Sequence, residues 1–479
     1  YSSIRNEEYQ DILNAIAVKY NIKPEKVANY PHLEIAAIFL AYCTDYFLKK
    51  EGKLAFVLPR SFWSADHHDN TRAGKAKGMR LTEIWDLIDV TPLFRIPSGV
   101  LFAERAVVKK NLPAAGLKGK TFTGRVPAHN CNWKAAENKL TEESVTWHYI
   151  KQGKATAFST RKAKGSNKIN PYKKEFKQGA TIVPRTFYFV ELTQETPPDF
   201  EDRIINIKTA DAIQPDAKAP WKGLSFSGKI ESQFLFRTAL SKSILPFLLH
   251  EPDFVILPIT INKKNKQKTV AIHTAKELMK QGYLNASKWF ANVERHWDIQ
   301  KTEKSKSMSA NDRINYQQGI TNQNLDANFL VLYNSSAKDA NALVVSRSDF
   351  DLEFIVESVT YVYYTNNINE AYYLSAIFNS TAPNERMKDF QARGLFGARH
   401  VHKKILDIYY PVYDANNKTH LRLAALSEVC HQKAKKYLHD NVPKQQVSGI
   451  LLGNLRLTIK KHLAAEMVEI DKLVGKIIE

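Results

Sequence analysis

A chain of 479 residues exceeds one ordinary domain and suggests roughly two to four, and its apolar share of 44% is enough to build real cores. Lys and Arg number 69 against 49 Asp and Glu, a formal charge of +20, which favours an anionic partner, either nucleic acid or an acidic membrane surface. The three cysteines, Cys43, Cys131 and Cys430, lie far apart without a C-x-x-C pair, and no apolar run approaches the length of a membrane span. A disulfide framework, a cysteine zinc site and a membrane-spanning chain are thereby set aside, and a reducing cytoplasm is expected.

The opening "YSSIRNEEYQ" is neither a signal peptide nor a methionine start, and reads as though a longer chain was cut at Tyr1. From Glu7 to Tyr20 the spacing of Ile12, Leu13, Ile16 and Ala17 predicts a helix. "HLEIAAIFLAYCTDYFLKK" predicts a second one, apolar over much of its circumference and hence buried. "EGK" then turns the chain into "LAFVLPRSF", a continuous apolar run of the kind expected for a buried parallel strand. After the polar loop "WSADHHDNTRAGKAKG", the runs "LTEIWDLIDV" and "SGVLFAERAVV" predict two strands joined by "TPLFRIP". Residues 1–110 thus read as the closing half of an open α/β sheet whose opening half is missing.

Beyond Lys110 the texture changes. Residues 111–230 are rich in Lys, Asn, Thr and Pro and predict a connecting region with short strands such as "ATIVPRTFYFV". "GLSFSGKIESQFLFRTALSKSILPFLL" predicts a strand, a polar turn and a helix, and "YLNASKWFANVERHW" an aromatic helix among basic loops. "NFLVLYNSS", "NALVVSRS" and "VESVTYVYYTN" read as sheet, and "INEAYYLSAIFNS" as an amphipathic helix. Residues 231–415 are taken as one α/β unit and 416–479 as a helical tail. In that tail Leu452, Leu455, Ile459, Leu463, Met467, Ile470 and Val474 form one apolar stripe.

The motifs of nucleotide and ester chemistry are missing: no G-x-x-x-x-G-K-[ST], no G-x-G-x-x-G after a strand, no G-x-S-x-G. "ADHHDN" sets Asp66, His67, His68 and Asp69 side by side, but neighbours in a loop rarely converge on one ion. It reads as a polar loop near a binding cleft, and no metal site is expected. Phe94 sits in a Pro-flanked turn between two predicted strands, at the mouth of the sheet. Such an aromatic can hold a base drawn out of its stack, or it can plug the sheet edge.

"FQARGLFGARHVHKKILDI" packs cations and glycines around one aromatic. Gly394 and Gly397 would let backbone amides approach a phosphate. Arg393, Arg399, His400, His402, Lys403 and Lys404 would donate to phosphate oxygens or, for an Arg, to guanine. Phe396 would wedge against a sugar or base step, or anchor the loop. Arg185, Lys229 and Arg237 extend the basic footprint, and Gln317 and Gln318 are candidates for reading adenine edges.

Taken in order, "LEIAAIFLAYCTDYFLKKEGKLAFVLPRSF", "IWDLIDVTPLFRIPSGVLFAER", "EAYYLSAIFNS" and "FQARGLFGARHVHKKILDIYYPVYD" resemble the large gamma-class N6-adenine DNA methyltransferases of restriction-modification and phage-defence systems. The resemblance covers nearly the whole chain. It implies a Rossmann-like domain that binds S-adenosylmethionine, a downstream target-recognition domain that reads duplex DNA, and in some members a fused nuclease. It places Phe94 where the family carries an aromatic that stacks on the flipped adenine, Leu54–Leu58 on the strand bordering the active site, and "PRSF" on the rim.

The family's catalytic Asn-Pro-Pro-aromatic motif and its glycine-rich cofactor loop both precede the part matched here. "TPPDF" at Thr196–Phe200 has the wrong first residue and lies downstream of the sheet. The expected architecture is therefore α/β: the C-terminal half of a Rossmann-like methyltransferase sheet, a target-recognition domain and a helical tail. No catalytic residue is expected in this chain, the cofactor would be bound mainly by the missing N-terminal part, and the chain alone should be inactive. The alternative is a non-catalytic DNA specificity subunit of a restriction-modification system.

Overall fold

Asn6 starts the first helix, α1 (Glu7–Lys19): its Oδ1 accepts the Tyr9 amide at 3.2 Å, and Glu7 and Glu8 lie where the helix dipole favours anions. The chain is seen in a computed structural model that describes residues 6–24, 27–106, 112–153, 155–162, 168–193, 200, 204–265, 267–391, 393–394, 397–398, 401–444 and 447–478. The second helix, α2 (Ile35–Phe47), buries Ala37, Ile38, Leu40 and Ala41 against a six-stranded mixed sheet. Its strands are β1 (Lys53–Pro59), β2 (Met79–Thr91), β3 (Ser98–Arg105), β4 (Leu117–Arg125), β5 (Leu140–Gln152) and β6 (Ala155–Ser159). They lie in the order β1-β3-β2-β4-β5-β6, antiparallel throughout except for the parallel pair β2 and β4.

Two expectations are corrected here. The apolar run of β1 predicts a strand buried between parallel neighbours. Instead β1 pairs antiparallel with β3 alone among the described strands, and Val57 is 54% exposed. An edge strand lacks the second neighbour that would cover it. The sheet also runs on past residue 110, because β4 to β6 extend it through Ser159 and share its core, with Leu117, Trp147 and Phe158 packed beside Ile84 and Leu101. Gly119 permits that extension: a Cβ there would stand 2.2 Å from the Ile84 carbonyl oxygen and 2.4 Å from the Trp147 ring.

A second core surrounds a five-stranded antiparallel sheet of Ser227–Glu231, Ile204–Thr209, Phe189–Leu192, Asp253–Ile256 and Leu235–Thr238, in that spatial order. The predicted aromatic helix forms over Leu284–Gln300 and buries Trp289, Phe290, Val293 and Trp297 on this core at helical spacing. In "ATIVPRTFYFV" Ala180 makes an isolated bridge to Glu357 and continuous pairing starts only at Phe189; Pro184 has no amide to donate, and Arg185–Tyr188 make one helical turn. The helix predicted in "SKSILPFLL" is absent: Pro246 interrupts it, Phe247 takes φ +60°, and Ile244–Leu245 pairs with Leu248–Leu249 as a tight hairpin.

The third core is built on Ala342–Ser346, Phe329–Asn334, Thr360–Thr365 and Lys177–Gln178, in that order. Helix Ile368–Asn379 crosses this sheet buried almost all round rather than half-exposed, with Ala371 and every residue from Tyr373 to Asn379 inside. The tail forms helices Lys418–Asp440, Gly449–His462 and Ala464–Ile477, and its stripe of Ile459, Leu463, Met467, Ile470 and Val474 enters the same core as Val331 and Leu374. The span 231–415, expected as one unit, is thus divided between two cores, and the tail completes the second of these. No helix among the described residues is long and apolar enough to cross a membrane.

Candidate nucleic-acid interface

At the carboxyl end of β1 the chain bends through the turn Arg60–Trp63, the "PRSF" rim. The Arg60 amide donates to the Pro97 carbonyl at 2.7 Å, which fixes the Pro92–Pro97 turn beside this rim. The Arg60 guanidinium donates to Asp86 at 2.9 Å and lies over the rings of Trp63 and Trp147. Phe94 stands 46% exposed on the neighbouring turn, with Ile96 also exposed. Of its two readings, a plug would be covered. This ring is available to a ligand.

The loop after the rim is held from below by Arg72, which is fully buried. Its Nη1 donates to Phe62 O at 2.9 Å, and its Nη2 to Ala65 O at 3.0 Å and to Thr156 Oγ1 at 2.7 Å. Thr156 Oγ1 in turn donates to Asp69 Oδ1 at 2.7 Å. Burial pulls the Arg72 guanidinium down to about 10, against the pull of Asp69, so it stays charged.

The stretch from Phe390 to Ile408 joins the first sheet to the third core. Phe390 is buried among Ile150, Ala155 and Ala157 of β5 and β6. Ser64 Oγ donates to Gln391 O at 3.0 Å, and Arg161 and Ser159 both reach Asp389, at 2.9 and 3.1 Å. The backbone then forms a small hairpin in which Arg393 pairs with Ala398 and Gly394 with Gly397, and Arg393–Gly394 lies alongside Arg60–Trp63. The Phe94 turn, the rim and the glycine hairpin therefore meet. Phe396, Arg399 and His400 lie outside the described residues, and for Arg393, Gly394 and Gly397 the backbone alone is described.

Past the hairpin, His402 is exposed at φ +38°, its carbonyl accepts the Tyr333 hydroxyl at 2.7 Å, and its ring meets the Tyr361 ring. Lys403 donates to Lys173 O at 3.3 Å, and burial together with the nearby Lys177 and Lys173 lowers its ammonium pKa. Burial is the larger cause, and Lys173 is itself paired with Asp407. Lys404 behaves differently: it is turned inward and paired with Asp66 at 3.7 Å. Val401, Ile405, Leu406 and Ile408 are core.

Several candidates do other work. Arg237 makes a two-pronged bond to Asp351 at 3.0 and 2.9 Å and covers the Phe254 ring. Arg185 faces the buried Glu357 at 3.3 Å. In both cases the guanidinium is paired with a carboxylate of the fold. Lys229 is exposed on the edge strand of the five-stranded sheet. Gln317 and Gln318 are exposed in left-handed backbone, at φ +54° and +59°, and line an open cleft of about 450 Å³ with Thr274, Glu277, Asn311 and Tyr316. That cleft belongs to the second core, and Gln318 Oε1 is already taken by Asn322 at 3.0 Å. "TPPDF" lies outside the described residues except for Phe200.

Sequence reasoning missed Lys173 and Lys177, whose neighbourhood depends on tertiary contacts, and it missed Glu34. The Glu34 carboxylate approaches His67 Nε2 at 3.6 Å and His68 Nε2 at 3.4 Å. Burial would raise its pKa, but His67, His68 and Ser61 more than offset this and hold it well below the usual range, while burial lowers His68 to about 4.

No family model and no curated protein matches the chain. Among solved structures, the Type IIL restriction-modification enzyme MmeI in complex with DNA aligns over 99% of this chain and 52% of its own, at 10% identity and TM-score 0.54. The chain shares its fold with MmeI. It spans about half the MmeI length. The ATP-dependent Type ISP enzyme LlaBIII bound to DNA aligns over 99% of this chain and 36% of its own, at 8% identity and a TM-score of 0.41. The type IIG restriction endonuclease BpuSI covers 99% and 52%, at 11% identity and a TM-score of 0.28. Of these three, MmeI alone is similar enough to define the fold.

Proposed function

We propose that this chain is the C-terminal part of a site-specific DNA methyltransferase of a restriction-modification system, acting on adenine N6 in duplex DNA, and that this part mainly binds and recognises the DNA. The observation that carries the reading is the meeting of three features at the end of β1: the exposed Phe94, the Arg60–Trp63 rim and the glycine hairpin at Arg393–Ala398. Ligands of open α/β sheets dock at strand ends. An enzyme that modifies a base must extract it and hold it against an aromatic face. The lysine group around Lys403 and the hairpin amides are suited to phosphates on either side of such a base.

The unpaired edge of β1, with Val57 exposed on it and Phe39, Tyr46 and Phe47 exposed on α2, suits pairing with an upstream half-sheet. That half would carry the Asn-Pro-Pro-aromatic motif. S-adenosylmethionine, the methyl donor of such enzymes, would be bound mainly by that upstream half. A specificity subunit without catalytic function would need the basic surface but not an exposed aromatic at the sheet mouth, so the enzyme reading is preferred.

Selection from a randomised duplex DNA pool at two salt concentrations tests the proposal. A short asymmetric motif containing adenine should be enriched and survive the higher salt. Sequence-blind binding that vanishes with salt would reduce the +20 charge to plain phosphate attraction and overturn it.

A further inference from the structure

Glu34 is the N-cap residue of α2, yet its side chain makes no capping bond. Its carboxylate points across to the loop after β1, where Ser61 Oγ donates to Oε1 at 2.9 Å. His67 and His68 converge on the same carboxylate, one on each oxygen, at 3.6 and 3.4 Å. One ligand atom from each of the three residues lies within 4.8 Å of the others. Two adjacent histidines reach one point because His67–His68 sits in a 3-10 turn that folds the rings to 4.2 Å between centroids. His68 is held there by stacking on Phe62 at 4.3 Å.

The arrangement makes little sense as a hydrogen-bonded cluster. Charge-assisted N–H···O bonds run at about 2.7–2.9 Å, shorter than either approach here. Glu34 Oε2, His67 Nε2 and both ring nitrogens of the wholly buried His68 have no hydrogen-bond partner. A buried polar atom left so costs about 1–3 kcal/mol. A tetrahedral ion with bonds of about 2.0–2.1 Å sets its ligand atoms roughly 3.3 Å apart, and each imidazole lies near that distance from one oxygen of the carboxylate. Two imidazoles and one carboxylate suit a zinc-type ion with a fourth position for water, whereas magnesium and calcium want oxygen donors.

We infer that Glu34, His67 and His68 form a binding site for a zinc-type divalent metal ion, which fastens the start of α2 to the rim loop. The site stands independently of the DNA reading above. On this inference "ADHHDN" is more than a polar loop, because the third ligand comes from α2.

The full chain, stripped with a chelator and then titrated with Zn²⁺ in a calorimeter, should bind one equivalent, and Co²⁺ should give the visible absorption of a tetrahedral site. Glu34→Gln and His67→Gln should each weaken Zn²⁺ binding by more than about tenfold, with circular dichroism unchanged. His67 is partly exposed, so its variant decides the matter if Glu34→Gln fails to fold. Absence of stoichiometric binding in the wild type, or a loss below tenfold in His67→Gln, overturns the inference.

Discussion

Arg185 and Phe94 show how differently side chains of one predicted footprint can be used. Arg185 compensates Glu357, whose carboxyl is pushed up by burial and brought back down in part by that guanidinium. Arg185→Ala would leave the carboxylate buried and unpaired, at a cost of about 3 kcal/mol or more in urea unfolding. DNA affinity per folded molecule should stay as in the wild type; a loss of affinity without a loss of stability would return Arg185 to the interface. Phe94 has no such duty. Phe94→Ala should unfold at the wild-type temperature, yet bind duplexes with an unpaired adenine roughly tenfold more weakly, the scale of one base-aromatic stack. Equal affinity for such duplexes would make Phe94 a bystander.

Among elements, the Lys418–Asp440 helix is tied to the Ala342–Ser346 strand by His431. Its Nε2 accepts the Val344 amide at 2.9 Å and its Nδ1 donates to Ser427 O at 2.7 Å, which defines one neutral tautomer. Burial lowers the ring's pKa from 6.5 to about 4. Between those values the unfolded chain binds a proton that the folded chain refuses. The contribution of neutral His431 is therefore complete above pH 6.5 and lost as pH falls toward 4, by about 3 kcal/mol. Carbon-13 NMR of labelled histidine should find this ring neutral well below the free-imidazole midpoint, and titration at the ordinary value would contradict the burial argument.

At the scale of the whole molecule, the C-terminal helices are part of the third core. Leu423, Ala424, Leu426, Cys430, Ile459 and Ile470 line it together with Val331 and Ile377. Ending the chain after Asp414 should expose that core, bind a hydrophobic dye and open the 329–408 region to protease, while the first sheet keeps its protection. Survival of the third core without the helices would make them an appendage. The bridging stretch from Phe390 to Ile408 shows the same coupling, since it plugs the first sheet with Phe390 and the third core with Ile405.

What the sequence by itself determined is whatever depends on short spacings. The helices α1, α2 and Leu284–Gln300, the β2–β3 hairpin with its Phe94 turn, and the apolar stripe of the tail were all legible, because periodicity and turn residues act within a few positions. Tertiary structure alone decided which partner each cation meets. Lys403 and Lys404 are adjacent, yet one adjoins Lys173 and Lys177 and the other turns inward to Asp66. It also decided that β1 is an edge, that β4 to β6 continue its sheet, and that Glu34 joins His67 and His68. A residue's charge and polarity are written in its own letter, but its partner is set by where the chain returns to it.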